Sequence, residues 1–250
     1  MRIARFRHSD QVSYGVIEQN ILRPITNDPF GPYEFTGAQL NLSDVELLAP
    51  VTPSKIVCIG MNYSAHAAEI SLDVPSEPLM FFKPSSAIVG PGQAIVLPHQ
   101  SNQVELECEL TIVVGKTAKN VAIEDVHDYI LGYTISNDVT ARDLQFSDLQ
   151  WARSKAFDSF CPMGPWIETE FVPNQSALES RVNGEVRQQA KTTDMIFGVE
   201  EIFSYVSQNV TLNPGDVILT GSPAGLSKIV SGDSIECEIQ GIGILSNPVA

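Results

Sequence analysis

The sequence is short of positive charge. Its 250 residues carry 15 Lys and Arg against 30 Asp and Glu, a formal net charge of -15. A chain this acidic repels phosphate backbones and anionic headgroups, so nucleic acid and membrane surfaces are poor partners, and an anionic substrate needs a local positive centre. Cysteine is scarce too. Cys58, Cys108, Cys161 and Cys237 lie far apart with no C-x-x-C pair, which argues for reduced core residues. No run of 18 apolar residues occurs and no basic segment followed by an apolar one opens the chain, so secretion and membrane spanning lack support. The expected compartment is cytoplasmic, where N-x-S/T sequons such as those at Asn62 and Asn209 carry no meaning.

Apolar residues make up 43% of the chain and mean hydropathy is near zero, enough to bury one larger domain or one domain with a small appendage. Residues 1–48 read as the appendage. Strands are expected over Met1–Phe6, Ser13–Ile17 and Ile21–Ile25, too little to stand alone. Asn27–Pro32 and Leu47–Pro53 are turn-rich connectors, and the second marks the boundary with a main domain over 49–250. Beyond it come Lys55–Gly60, Ala94–Pro98 and Gly132–Asp143 as strands, with short helices at Asp125–Leu131 and Gly198–Val206. Asn183-Gly184 is the signal of a type I′ hairpin. Many strands joined by turns, with few helices, predict a β-rich α+β domain and exclude a Rossmann fold.

The stretch that organises this domain is Glu105-Leu106-Glu107-Cys108-Glu109-Leu110, followed by the apolar run Thr111–Val114. On one strand, Leu106, Cys108 and Leu110 enter a core while three glutamates share the other face. Such carboxylates raise one another's pKa unless something positive sits among them, and a hard divalent cation with oxygen ligands is the simplest remedy. The competing reading is a solvated face of an acidic protein.

Other residues join this pattern. Met61–Glu69 is Ala-rich, with Asn62 or Ser64 available as N-cap, and a short helix there places His66 and Glu69 at i and i+3. The pair is either a surface contact or a general base for water, its tautomer held by the carboxylate. Lys83 ends the apolar run Leu79–Phe82 and either snorkels from a core strand or enters a cleft. Asp138, at the polar end of its strand, is a turn former or a further oxygen ligand. Trp151–Trp166 gathers aromatics around Lys155, as core packing or as a shielded pocket. The Gly-bearing loop Gly221–Gly225 can present N–H groups to a carboxylate but lacks the G-K-[ST] ending of a nucleotide loop.

In this order, Gly60-Met61-Asn62-Tyr63 with His66 and Glu69, Phe82-Lys83-Pro84, Glu107-Cys108-Glu109-Leu110, Asn137–Asp143 and Leu219–Gly225 resemble the fumarylacetoacetate hydrolase family across residues 50–248. The resemblance implies a rolled mixed β-sheet, a homodimer, and Mg²⁺ or Mn²⁺ on Glu107, Glu109 and Asp138. Glu105 is left over, with a supporting role open to it. The resemblance further implies His66, Glu69 and Lys155 as catalytic and Gln145, Ser222 and Lys83 as substrate-binding residues. A small 2-oxo acid is the expected partner. Hydrolysis of an acylpyruvate or other 2,4-dioxo acid through a metal-stabilised pyruvate enolate is the leading expectation. The alternatives are oxaloacetate decarboxylation, isomerisation of a 2-hydroxy-dienedioate, and a non-enzymatic module that binds a dicarboxylate.

Overall fold

A computed structural model describes every residue of the chain except Leu72. Ten strands form the path of a large mixed sheet, in the order Leu40–Asn41, Ile21–Pro24, Gln11–Glu18, Arg2–His8, Cys161–Glu168, Ile130–Asn137, Cys108–Val114, Val217–Leu219, Ile56–Gly60 and Leu79–Lys83. Two short strands, Glu46–Leu47 and Ile88–Val89, pair beside this path. A four-stranded sheet contains Glu185–Lys191, Ala177–Val182, Ser234–Ile239 and Gly243–Pro248; a three-stranded one contains Thr140–Ala141, Val104–Leu106 and Ser227–Lys228. The α-helices are few and short: Ser64–Glu69, Arg142–Ser147, Ala152–Lys155 and Val199–Asn209. The expected β-rich α+β class is what the chain adopts.

Cys108–Val114 is the middle of this architecture. It is buried at every position, as a strand with neighbours on both edges and cover on both faces must be. Leu110, Ile112 and Val114 enter the main core with Leu178 and Phe203, while Val113 enters a second core with Cys58, Cys161 and Leu219. Burying each such side chain stabilises the fold by about 1.5–3 kcal/mol. The helix Val199–Asn209 covers the main core with Val199, Ile202, Phe203 and Val206, one face of a 3.6-residue period.

The N-terminal strands do not stand apart. Arg2–His8 pairs with Cys161–Glu168 through Arg2↔Glu168 and Ile3↔Ile167, so the appendage lengthens the large sheet. Its own core is only Ala4, Phe6, Ile17 and Leu22, with Trp166 of the main domain packed against it. That core is too small to fold alone, and the shared sheet supplies what it lacks.

Several expected elements are corrected. Glu105–Val114 is not one strand: it breaks at Glu107, and Val104–Leu106 pairs in a different sheet. Gly132–Asp143 also divides, into Ile130–Asn137, Thr140–Ala141 and a helix from Arg142 that its polar sequence did not advertise. Residues 123–128 form a 3-10 turn in place of a helix to Leu131, because Ile130 pairs with Val114. In Ala94–Pro98 only Ile95 makes a bridge, to Val249. The Asn183-Gly184 hairpin is present, with φ of 53° and 81°, as a type I′ turn requires.

Asp216 sets the register of a parallel pair of the large sheet, Ile56–Gly60 against Val217–Leu219. The Asp216 carboxylate is buried and accepts from Ser54 N and Oγ at 2.9 and 2.7 Å, Lys55 N at 3.1 Å, Asn213 N at 2.7 Å and the Lys55 ammonium. Burial alone raises its pKa, but these donors, Lys55 first, bring it below the ordinary carboxylate value. A depressed native pKa stabilises the fold fully above the unfolded pKa of about 3.9 and loses that contribution as pH falls through the native value. Asp216→Asn is therefore expected to cost about 3 kcal/mol at pH 7. In urea unfolding, the gap to the wild type should close below about pH 4; a gap unchanged down to pH 3 would refute the assignment.

Candidate metal centre

The site follows from one antiparallel register. Cys108 faces Asn137 and Glu109 faces Ser136, so one step further the register sets Glu107 opposite Asp138. The step is locked by hydrogen bonds from Glu107 N to Asn137 Oδ1 at 2.9 Å and from Asp138 N to Glu107 O at 2.8 Å. Glu109, two residues from Glu107, returns to the same face. As a result, carboxylate oxygens of Glu107, Glu109 and Asp138 lie within 4.8 Å of one another, all buried. This rules out the solvated-face reading.

Positive groups surround the three acids. Lys155 Nζ donates to Glu107 Oε2 at 2.9 Å and to Asp138 Oδ2 at 2.6 Å, and lies 5.0 Å from the Phe81 ring centroid. Phe81 in turn packs edge-on against Trp151. Of the two readings open for this segment, core packing with a surface lysine and a cation among aromatics, the buried Lys155 beside Phe81 matches the second. Burial disfavours its charge, yet Asp138 and Glu107 outweigh that and hold its pKa above the ordinary value.

Arg142 is the residue that sequence reasoning missed. It is buried; its Nε donates to Glu105 Oε2 at 2.8 Å, its Nη2 to Glu107 Oε1 and its Nη1 to Gln145 Oε1. Glu105 also accepts from Gln103 Nε2 at 2.6 Å. The leftover glutamate is thus a partner of Arg142, outside the group that converges on Glu109. The signal was present: a chain with so few basic residues carries an arginine four positions after Asp138, and a buried guanidinium needs carboxylates.

Glu107 and Glu109 are shifted in opposite directions. Glu107 is raised by burial but lowered more by Lys155 and Arg142, and ends below the ordinary range. Glu109 is pushed well above it, by burial first and then by Asp138 and Glu107. One acid of the three is therefore the point of unrelieved repulsion. A dication among them relieves it, and three buried carboxylates are the all-oxygen donor set that Mg²⁺ and Mn²⁺ accept. The residues fit such an ion.

The other expected residues sort by position. His66, Gln145, Lys155 and Ser222 line one cavity with the three acids, closed on its apolar side by residues that include Ile59, Met61, Ile70, Phe81 and Trp151. His66 is buried, with Nδ1 a long 3.4 Å from Glu69 Oε2. Neither Asn62 nor Ser64 caps that helix: Tyr63 takes the cap position without a side-chain bond. Asn62 instead donates to Thr220 O at 2.7 Å and Phe197 O at 3.1 Å and accepts from Phe197 N at 2.8 Å, which ties three segments together.

Lys83 does not line the cavity. Its Nζ donates to Asp138 Oδ1 at 2.5 Å and to Val139 O at 3.1 Å. The Gly-bearing loop does present N–H groups to carboxylates, but to those of the protein itself. Gly221 N donates to Glu109 Oε2 at 2.7 Å; Gly225 N and Leu226 N donate to Glu69 at 3.1 to 3.2 Å. Gly221 has φ of +100°, and a Cβ there would lie 2.6 Å from that of Asn62, so no other residue fits.

Fold and site together define a β-rich protein with a buried cluster of three acids lining a small cavity. Residues 55–250 match the family profile described as fumarylacetoacetate (FAA) hydrolase C-terminal, and residues 1–50 match one described as Rv2993c-like, N-terminal. The chain belongs to the fumarylacetoacetate hydrolase family. Oxaloacetate tautomerase fahd2, mitochondrial, of Xenopus laevis is 44% identical over 223 residues, covering 84% of this chain and 70% of that protein. The crystal structure of 2-hydroxyhepta-2,4-diene-1,7-dioate isomerase from Mycobacterium marinum is 46% identical, with a TM-score of 0.94 over 100% of this chain and 98% of its own. Maleylpyruvate hydrolase from Sphingobium sp. SYK-6, solved with manganese (II) ion and pyruvate, is 31% identical, with a TM-score of 0.84 over 100% and 99%. These relatives are named as enzymes, and among the described residues no helix is long and apolar enough to cross a membrane.

If the three acids hold one divalent ion, Mn²⁺ at about 100 times its Kd should add about 2.7 kcal/mol to the unfolding free energy. Glu109→Gln removes one ligand and should abolish that gain in calorimetric melting with and without Mn²⁺. An equal gain in wild type and variant would overturn the assignment.

Proposed function

We propose that the protein cleaves a carbon–carbon bond of a 2-oxo acid with the help of a divalent metal, hydrolysing an acylpyruvate or related 2,4-dioxo acid. What carries this reading is the meeting, in one cavity, of the Glu107, Glu109 and Asp138 group, the Lys155 ammonium and His66, whose Nδ1 faces Glu69. A bound Mg²⁺ or Mn²⁺ supplies Lewis acidity toward the carboxylate and keto oxygens of such a substrate.

The chain's own groups do the rest. Lys155 sets a positive charge before the keto oxygen, where electrons collect as the bond beyond C3 breaks. Gln145, its carbonyl engaged by Arg142, keeps its amide nitrogen for a substrate oxygen. His66 takes a proton from water through Nε2 while its Nδ1–H donates a hydrogen bond to Glu69, and the hydroxide adds to the distal carbonyl carbon. When the C3–C4 bond breaks, its electron pair passes to the pyruvate enolate and the acyl group leaves as a carboxylic acid. Protonation of C3, with His66 returning the proton, completes pyruvate. Gly225 N and Leu226 N donate to Glu69 from a loop outside the helix and hold its carboxylate beside His66.

A second reading takes oxaloacetate as substrate, and the 44%-identical relative named oxaloacetate tautomerase favours it. There His66 moves a proton between C3 and the enol oxygen, or carbon dioxide leaves C3, and no water is consumed. The homodimer that the family resemblance implies is part of this proposal.

The metal-loaded protein, given acetylpyruvate, fumarylpyruvate and oxaloacetate separately, is expected to release pyruvate with loss of enol absorbance. His66→Ala should lower hydrolysis by about 10²–10⁴-fold, the usual worth of a general base, and leave measurable decarboxylation of oxaloacetate. No pyruvate from any of the three, at enzyme concentrations near the substrate's, would remove the cleavage reading. Equal loss of both activities in His66→Ala would remove the role given to His66.

A further inference from the structure

Gln188 belongs to none of the segments that carry the site. It lies on Glu185–Lys191 of the four-stranded sheet, while the acids lie at the end of the large one, and it is fully buried. A buried amide of this kind must satisfy two donors and two acceptors, and Gln188 satisfies all four. Its Oε1 accepts from Cys108 N at 2.9 Å and from Ser180 Oγ at 3.0 Å. Its Nε2 donates to Ser222 Oγ at 2.7 Å and to Pro223 O at 2.8 Å.

The direction of this amide is set by two groups that have no choice. A peptide N–H only donates, so the atom facing Cys108 is the oxygen; a peptide carbonyl only accepts, so the atom facing Pro223 is the nitrogen. Ser222 Oγ therefore receives a hydrogen bond from Gln188, and its own proton must go elsewhere. The acceptor available inside the protein is Pro223 O, 3.4 Å away and already engaged by Gln188 at 2.8 Å. Such a distance makes a weak bond at best. The remaining direction is the cavity, which Ser222 lines together with Glu109, Lys155 and His66.

We infer that Gln188 is a positioning residue that holds Ser222 as a hydrogen-bond donor toward an anionic oxygen of the bound 2-oxo acid. The inference rests on the proposed function of the cavity and adds the polarity of one of its walls. The same amide oxygen holds the N–H of Cys108, the residue between Glu107 and Glu109. Donor and acids are thus kept in one frame from a separate sheet.

The test uses the full chain loaded with Mn²⁺ and titrated calorimetrically with oxalate, a planar dianion with the O–C–C–O arrangement of the pyruvate enolate. Wild type should bind oxalate, and Ser222→Ala should weaken binding about tenfold, the range for one hydrogen bond to a charged group. Gln188→Glu reverses the polarity, because a carboxylate draws the Ser222 proton to itself; it should weaken oxalate binding to a similar degree with Mn²⁺ affinity unchanged. In the Ser222→Ala background, Gln188→Glu should add no further loss. Gln188→Met, which removes the donor without burying a charge, is the variant to use if Gln188→Glu does not fold, and its loss should likewise vanish in the Ser222→Ala background. Wild-type oxalate affinity in either Gln188 variant, an undiminished loss without the Ser222 hydroxyl, or a loss that tracks Mn²⁺ affinity would each overturn the role of Gln188. Failure of the Mn²⁺-loaded wild type to bind oxalate would instead overturn the 2-oxo acid reading on which it rests.

Discussion

Four carboxylates, Glu105, Glu107, Glu109 and Asp138, are buried side by side, and their compensation is the constraint that shapes this protein. Unit charges 4 Å apart interact by about 4 kcal/mol at an effective dielectric constant near 20, so the cluster is intolerable without counter-charge. Lys83, Arg142 and Lys155 supply it, each itself buried and each unable to stay so without the acids. Glu109 is the acid to which none of the three cations donates; a backbone amide, Gly221 N, is its hydrogen-bond donor. A chain with 30 acidic residues thus places three of its 15 basic ones in a single spot. Four acids against three cations still leave the cluster one positive charge short of balance, which is where a divalent cation fits.

Around this charge cluster the backbone acts as a rigid frame. The antiparallel register brings Glu107 to Asp138, and the break after Leu106 lets the chain leave one sheet and enter another at the point where the acids meet. Polar side chains then join the segments: Asn62 joins residues 197 and 220, and Gln188 joins residues 108, 180 and 222. Hydrogen bonds in such a dry interior are strong, and an unmade one is costly, so these amides specify one arrangement of loops around the cavity. Glu69 does the same for the short helix, linking His66 to the loop at Gly225 and Leu226. Glu69 thus contacts His66 and fastens its helix to the loop.

Strand positions were readable where the pattern was local. The expected strands Met1–Phe6 and Ser13–Ile17 fall on Arg2–His8 and Gln11–Glu18, the Asn183-Gly184 turn marked its hairpin, and the apolar run Thr111–Val114 lies in the central strand Cys108–Val114. The errors lie where pairing partners override local pattern. Alternation continues unbroken through Glu107, yet its two sides pair in different sheets; Ala94–Pro98 has strand composition, yet only Ile95 finds a bridge. Lys83 shows the same limit for a side chain. Its position after Leu79–Phe82 left two directions open, and only the arrival of Asp138 from another strand turned it inward.

The order of residues determined which chemical groups this protein has to work with: hard oxygen donors at alternate positions, a histidine and glutamate one helical turn apart, and an apolar strand to carry the acids into a core. Those features are local, because side-chain period and helix pitch follow from backbone geometry. Folding in three dimensions decided which groups meet: Asp138 with Glu107 through a strand register, Arg142 with Glu105 rather than with solvent, Lys155 over Phe81, Gln188 under Ser222. Each of these contacts joins residues too distant in sequence for any local period to relate, and each is held by burial, which only the assembled sheets provide.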